Sequence, residues 1–130
     1  MSPEDPAVFP KDAVVSAEVS NGFPGVGSAG ATRGGELQTA HLIGIGGAGL
    51  CALAEYLHDS GVAVTGSDVA PTDRTLYRLR ARGIPVAIGH AAGHLPARCD
   101  RVIYSAAIPV DNIERRAASE RRLKQQSYPQ

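Results

Sequence analysis

The sequence predicts an α/β domain with a doubly wound parallel sheet, and two observations carry that expectation. From Gln38 onward, strand-like apolar runs alternate with helical patterns. The first run, His41 to Ile43, breaks into the glycine loop Gly44-Ile45-Gly46-Gly47-Ala48-Gly49 and continues at once as a helix. Parallel strands joined by right-handed crossovers place helices on both faces of the sheet.

In the first helix, about Gly47 to His58, Leu50, Leu53, Ala54 and Leu57 fall at i, i+3, i+4 and i+7, and Ser60-Gly61 ends it. Val62 to Gly66 reads as the second strand. Pro71-Thr72 starts a helix whose buried stripe is Leu76 and Leu79 and which Gly83 terminates. Pro85 to Ile88 is the third strand, followed by a loop and helical turn over His90 to Leu95. Arg101 to Ser105 is the fourth strand, where Val102-Ile103-Tyr104 is the apolar run of a strand covered on both faces. Asp111 and Glu114 have the spacing of an N-cap and a capping-box glutamate, opening a helix to about Lys124. Gln125 to Tyr128 can add a short edge strand. Residues 1–38 carry Pro3, Pro6, Pro10, Pro24 and six glycines without periodicity, and are expected to be a flexible extension before one domain over 39–130.

Thirteen acidic and thirteen basic residues give a formal net charge of zero, so nothing in bulk pulls the chain to nucleic acid or anionic lipid. A phosphate ligand must be held locally. No apolar stretch approaches the roughly 18 residues of a membrane span, and the N-terminus opens with acids, which points to the cytoplasm. Cys51 and Cys99 have neither disulfide nor metal-ligand spacing, and with the histidines they suggest no metal site. Both read as packing residues in a reducing compartment.

The glycines have physical tasks: Gly44 for the tight turn, Gly46 for backbone approach to a pyrophosphate, and Gly49 for close packing of helix on strand. A diphosphate would sit on the helix N-terminal N–H groups. In a doubly wound sheet ligands bind at the carboxyl ends of the strands, where Asp68, Gly89-His90 and Ser105-Ala106-Ala107-Ile108-Pro109 also fall. Asp68 suits a ribose hydroxyl, with a turn or capping aspartate as the plainer reading. His90 is favoured as a nucleotide contact. His41, His58 and His94 have only bland readings, and Arg74, Arg78 and Arg82 form a stripe best read as a solvated helix face.

Taken in order, the glycine loop, Gly66-Ser67-Asp68, Gly89-His90 and Ser105 to Pro109 with Asp111-Asn112 resemble the N-terminal domain of the UDP-N-acetylmuramate:L-alanine ligases of the Mur ligase family. The resemblance covers about Thr39 onward and implies a Rossmann-like domain that holds the UDP part of UDP-N-acetylmuramate. Gly46, Gly47, Ala48 and Gly49 would contact the diphosphate. Asp68 and His90 would face the uridine, Ser105, Ala106 and Ala107 would line the pocket, and Thr75 would touch the nucleotide. Leu50-Cys51 departs from the methionine and small residue common in the family.

The resemblance also implies an ATP-dependent amide-bond ligase in peptidoglycan synthesis, with ATP and Mg2+ activating the muramate carboxylate for attack by L-alanine. That step needs a phosphate loop of the form GxxxxGK(S/T), and Lys11 and Lys124 lie in none. The ATP and amino-acid domains are therefore expected to be missing, leaving a chain that binds and does not catalyse. An NAD(P)-binding domain of a dehydrogenase or regulatory module would use the same glycine loop and stays open as the alternative. So does an interaction domain with no ligand.

Overall fold

The computed structural model describes residues 37–129, so the expected extension before Leu37 lies outside the described residues. Five strands alternate with helices: β1 (Thr39–Ile43), α1 (Ala48–Asp59), β2 (Ala63–Asp68), α2 (Asp73–Ala81), β3 (Val86–Ile88), a 3-10 turn (Ala92–His94), β4 (Arg101–Ser105), α3 (Ile113–Glu120) and β5 (Gln125–Tyr128). All the pairings are parallel and the spatial order is β3-β2-β1-β4-β5, the doubly wound arrangement the alternation predicts. β1 is central. Ala40 to Ile43 pair with Val64 to Ser67 on one side and with Arg101 to Tyr104 on the other.

The pleat sends alternate residues to opposite faces, and each face packs its own cluster. Ala40, Leu42, Val64 and Ile103 pack with Leu50, Leu53, Ala54 and Leu57 of α1 and Leu79 of α2. Ile43 and Val102 pack on the other face with Leu95, Cys99 and Ala118 of α3. Ile45, in the glycine loop, is fully buried against β2. A Cβ at Gly66 would stand 2.4 Å from Ile45 Cδ1 and 2.8 Å from the Leu42 carbonyl oxygen, so glycine is required there. Among the described residues no helix is long and apolar enough to cross a membrane.

Two expectations are corrected. The last helix ends at Glu120, before Lys124, because Arg122 turns to φ +59° and the Leu123 N–H bonds back to the Ala118 carbonyl at 2.9 Å. Its cap is Asn112 rather than Asp111: the Asn112 side chain accepts from the N–H groups of Glu114 and Arg115, while the Glu114 side chain is buried. By contrast, Thr72 caps α2 with its side chain, as the Pro71-Thr72 start implies.

The packed unit also begins earlier than Thr39. Leu37 joins the α1-side cluster at 7% exposure, the Gln38 N–H donates to Asp100 Oδ2 at 2.9 Å, and the Gln38 carbonyl accepts from the Ala63 N–H at 2.9 Å. These contacts tie the start of β1 to β2 and to the loop before β4. A chain beginning at Thr39 is expected to melt lower than one beginning at Leu37 by about 2 kcal/mol, on the order of 10 °C for a domain of this size. Equal melting temperatures by calorimetry would remove Leu37 and Gln38 from the fold.

Candidate functional site

The carboxyl end of β1 turns through Gly44 at φ +89°, a left-handed conformation that glycine adopts without strain. The N–H groups of Gly44 and Ile45 both donate to the Ser67 carbonyl, at 2.8 and 3.1 Å, which hangs the loop on the end of β2. The N-cap of α1 is Gly47, so no side chain caps the helix and its first-turn N–H groups face the end of the sheet uncapped. Across the β1–β4 junction, a Cβ at Gly44 would lie 3.2 Å from Ser105 Cβ. The glycine loop and the Ser105 to Pro109 loop therefore meet at the point where strand order reverses, the place such sheets use for ligands.

The predicted residues take definite positions around this crevice. The Gly46 N–H donates to Asp68 Oδ2 at 2.8 Å, and Asp68 Oδ1 accepts from the Ala70 N–H at 3.1 Å, so Asp68 braces the loop and its own turn. A Cβ at Gly46 would sit 2.9 Å from both Asp68 Oδ2 and Pro71 Cβ, which makes glycine a requirement of this brace whatever binds beside it. Gly49 lies against the Tyr128 ring of β5, 3.1 Å from its Cβ position, rather than against the strand that leads into the loop. Ala48, Ala106 and Ala107 are exposed at the rim. Ser105 is nearly buried and its hydroxyl accepts from the Ala107 N–H at 3.2 Å. Arg115 of α3 donates to the Ile108 carbonyl at 2.9 Å and stacks over Tyr104 at 3.8 Å, which fixes the far side of this loop. Thr75 does not join the group: its N–H and hydroxyl are both spent on Thr72 in the first turn of α2.

Beneath His90 lies a cluster that the motif reading missed. Glu114 is fully buried, and each carboxylate oxygen receives two donors. Oε1 accepts from His41 Nε2–H at 2.8 Å and the Ser67 hydroxyl at 2.7 Å; Oε2 accepts from His94 Nδ1–H at 2.7 Å and the Ala91 N–H at 3.0 Å. Burial alone would raise this carboxyl, but the hydrogen bonds from His41, Ser67, His94 and Ala91 outweigh it and hold the group down at about 2. His41 is anchored on its other side by the Thr65 hydroxyl, 2.7 Å from Nδ1. A usable signal existed: His41 and Ser67 are polar residues inside apolar parallel strands, and a buried polar group needs a partner.

The remaining residues have structural roles. Arg78 pairs with Glu55, and Arg82 reaches both Glu55 (2.8 Å) and Asp59 (3.2 Å), so two arginines of the stripe clamp α2 to α1 rather than face solvent alone. Burial pushes the Cys51 thiol up to about 11, which leaves it unreactive. Burial also raises the Cys99 thiol. Among the described residues no group of three or more His, Cys, Asp or Glu is arranged to hold a metal ion.

Comparison with known proteins places this geometry. A model of the Mur ligase family, catalytic domain, matches residues 39–130. The chain is 47% identical over 83 residues to a UDP-N-acetylmuramate–L-alanine ligase of Acidovorax sp. (strain JS42), covering 64% of this chain and 17% of that protein. Against the enzyme of the same name from Legionella pneumophila (strain Corby) it is 43% identical over 88 residues, 68% of this chain and 18% of the relative. Among solved structures, a UDP-N-acetylmuramate–alanine ligase from Thermotoga maritima superposes with a TM-score of 0.64 at 36% identity, over 68% of this chain and 20% of that one. The UDP-N-acetylmuramate:L-alanyl-γ-D-glutamyl-meso-diaminopimelate ligase from Neisseria meningitides also gives 0.64, at 26% identity, over 70% and 28%. The chain thus spans less than a fifth of the length of these curated relatives.

The depressed Glu114 carboxyl has a consequence in acid. Its contribution to stability is full above the ordinary value of 4.5 and is lost as pH falls from there toward about 2. Glu114→Gln removes that contribution, so urea midpoints should show wild type ahead of the variant at neutral pH and the gap closing through that window. A gap that stays constant down to the acid limit would contradict the hydrogen-bonded carboxylate.

Proposed function

The chain belongs to the Mur ligase family, and from that premise we propose that it binds the UDP part of UDP-N-acetylmuramate for an ATP-dependent ligase that joins L-alanine to that substrate in peptidoglycan synthesis. The observation that carries the reading is the meeting of the glycine loop and the Ser105 loop at the β1–β4 reversal, in a chain whose relatives are named UDP-N-acetylmuramate–L-alanine ligases.

In this reading the diphosphate lies over Gly46, Gly47, Ala48 and Gly49, where the uncapped start of α1 supplies N–H donors and a favourable dipole. Since the Gly46 N–H already serves Asp68 and the Gly47 N–H the Gly44 carbonyl, the N–H groups of Ala48 and Gly49 carry the phosphate. Asp68 and His90 stand on the uridine side, with Asp68 holding the loop closed as well. Ser105, Ala106 and Ala107 form the opposite wall, where small side chains leave room for the ligand. Thr75, bonded to Thr72, stays out of direct contact and only steadies the first turn of α2 after Asp68. ATP and Mg2+ act in a part of the ligase that these 130 residues do not include, because no GxxxxGK(S/T) loop occurs in them. Residues 39–130 form the substrate-binding unit, with Leu37 and Gln38 packed on it.

UDP and UDP-N-acetylmuramate should each raise the melting temperature, by about 2.7 kcal/mol of stabilisation at one hundred times the dissociation constant, while ATP and NAD should not. Equal stabilisation by NAD would favour a dinucleotide-binding domain instead. With ATP, magnesium, UDP-N-acetylmuramate and L-alanine all present, the purified chain should release no phosphate above a protein-free control. Turnover that survives repurification would mean that an active site lies within these residues.

A further inference from the structure

The Glu114 cluster fixes hydrogen-bond directions as well as positions. Four donors fill the four lone-pair positions of its carboxylate, which can only accept. The Ser67 hydroxyl therefore gives its single proton to Glu114 Oε1, at 2.7 Å. Its oxygen stands 3.1 Å from His90 Nδ1 and can only accept from it, so Nδ1 carries a hydrogen. The same nitrogen lies 3.5 Å from Glu114 Oε2, whose negative charge also favours a hydrogen on it. A neutral imidazole protonated at Nδ1 has a bare lone pair at Nε2. Among the described residues that nitrogen has no partner, and the ring is partly exposed where β3 ends.

We propose that Glu114 is a positioning residue: acting through Ser67, it holds His90 as the Nδ1–H tautomer, so that Nε2 offers a hydrogen-bond acceptor at the ligand end of the sheet and selects a nucleotide group that donates, a hydroxyl or N–H of the uridine. The identity of the ligand rests on the UDP-binding reading above; the tautomer rests on the geometry alone. His41 and His94 take part by holding the carboxylate ionised and in place, and an ionised carboxylate, which only accepts, leaves Ser67 no choice of direction. With an amide at position 114, one atom of the group becomes a donor, the Ser67 hydroxyl is free to turn, and His90 can carry its proton at Nε2 instead.

Long-range proton–nitrogen NMR spectra of the whole chain at about pH 8, where an ordinary imidazole is neutral, read the tautomer directly, with His90→Gln identifying the resonance. The expected result is a proton on His90 Nδ1; a proton on Nε2, or an even mixture, overturns the proposal whether or not Glu114→Gln folds. In Glu114→Gln the balance should move toward Nε2–H, and an unchanged spectrum from a folded variant also overturns it. Titration with UDP tests the selection: His90→Ala and Glu114→Gln should each weaken binding about three- to tenfold, as for one neutral hydrogen bond, and the double variant no further. If the wild type ignores UDP, the ligand reading falls while the tautomer result stands. If the wild type binds UDP and His90→Ala binds it equally well, the selection is wrong.

Discussion

A single buried carboxylate holds the ligand end of this domain together. Glu114 enters from α3 and bonds to β1 through His41, to β2 through Ser67, to the segment after β3 through Ala91 and to the 3-10 turn through His94. Three separate stretches of chain, β1, β2 and residues 91–94, are thereby referred to one group on a fourth. A buried charge left without partners is expensive, so the arrangement is close to all-or-none: each donor is needed because the others are there. The Asn112 cap makes this possible by leaving the Glu114 side chain free to turn inward.

On the opposite face the glycine loop depends on contacts of a different kind. Ile45 is buried over Gly66, the Gly44 and Ile45 N–H groups share the Ser67 carbonyl, and Asp68 holds the Gly46 N–H. Ser67 thus serves both halves, its carbonyl fixing the loop and its hydroxyl joining the Glu114 cluster. The carboxyl end of β2 is the hinge pin between phosphate loop and buried carboxylate.

Much of the architecture was legible in the sequence because hydrophobic period is a local property. β4 was expected over Arg101 to Ser105 and is found there, and α1 was expected within a residue of its limits. The end of α3 was hidden because no glycine marks it and an arginine adopts the left-handed turn. Glu114 was hidden for a deeper reason. A glutamate three residues after an aspartate looks like a capping box, and only the assembled sheet shows that the histidine and serine of two strands converge on it. Asp68 shows the same limit: its distance from the glycine loop was readable, but its bond to the Gly46 N–H was not.

The central place of β1 bears on the order of assembly. It is the first strand of the sheet, yet both of its neighbours come later in the chain, and Ala40 pairs with Arg101. Parallel pairing allows no local hairpin, so closing the long loop to β4 has to precede the reward for it, which slows folding of such sheets. During synthesis the glycine loop can dock on β2 early, but the wall it shares with Ser105 waits for β4, and the carboxylate beneath waits for residue 114. The ligand crevice is consequently among the last parts of the domain to take shape.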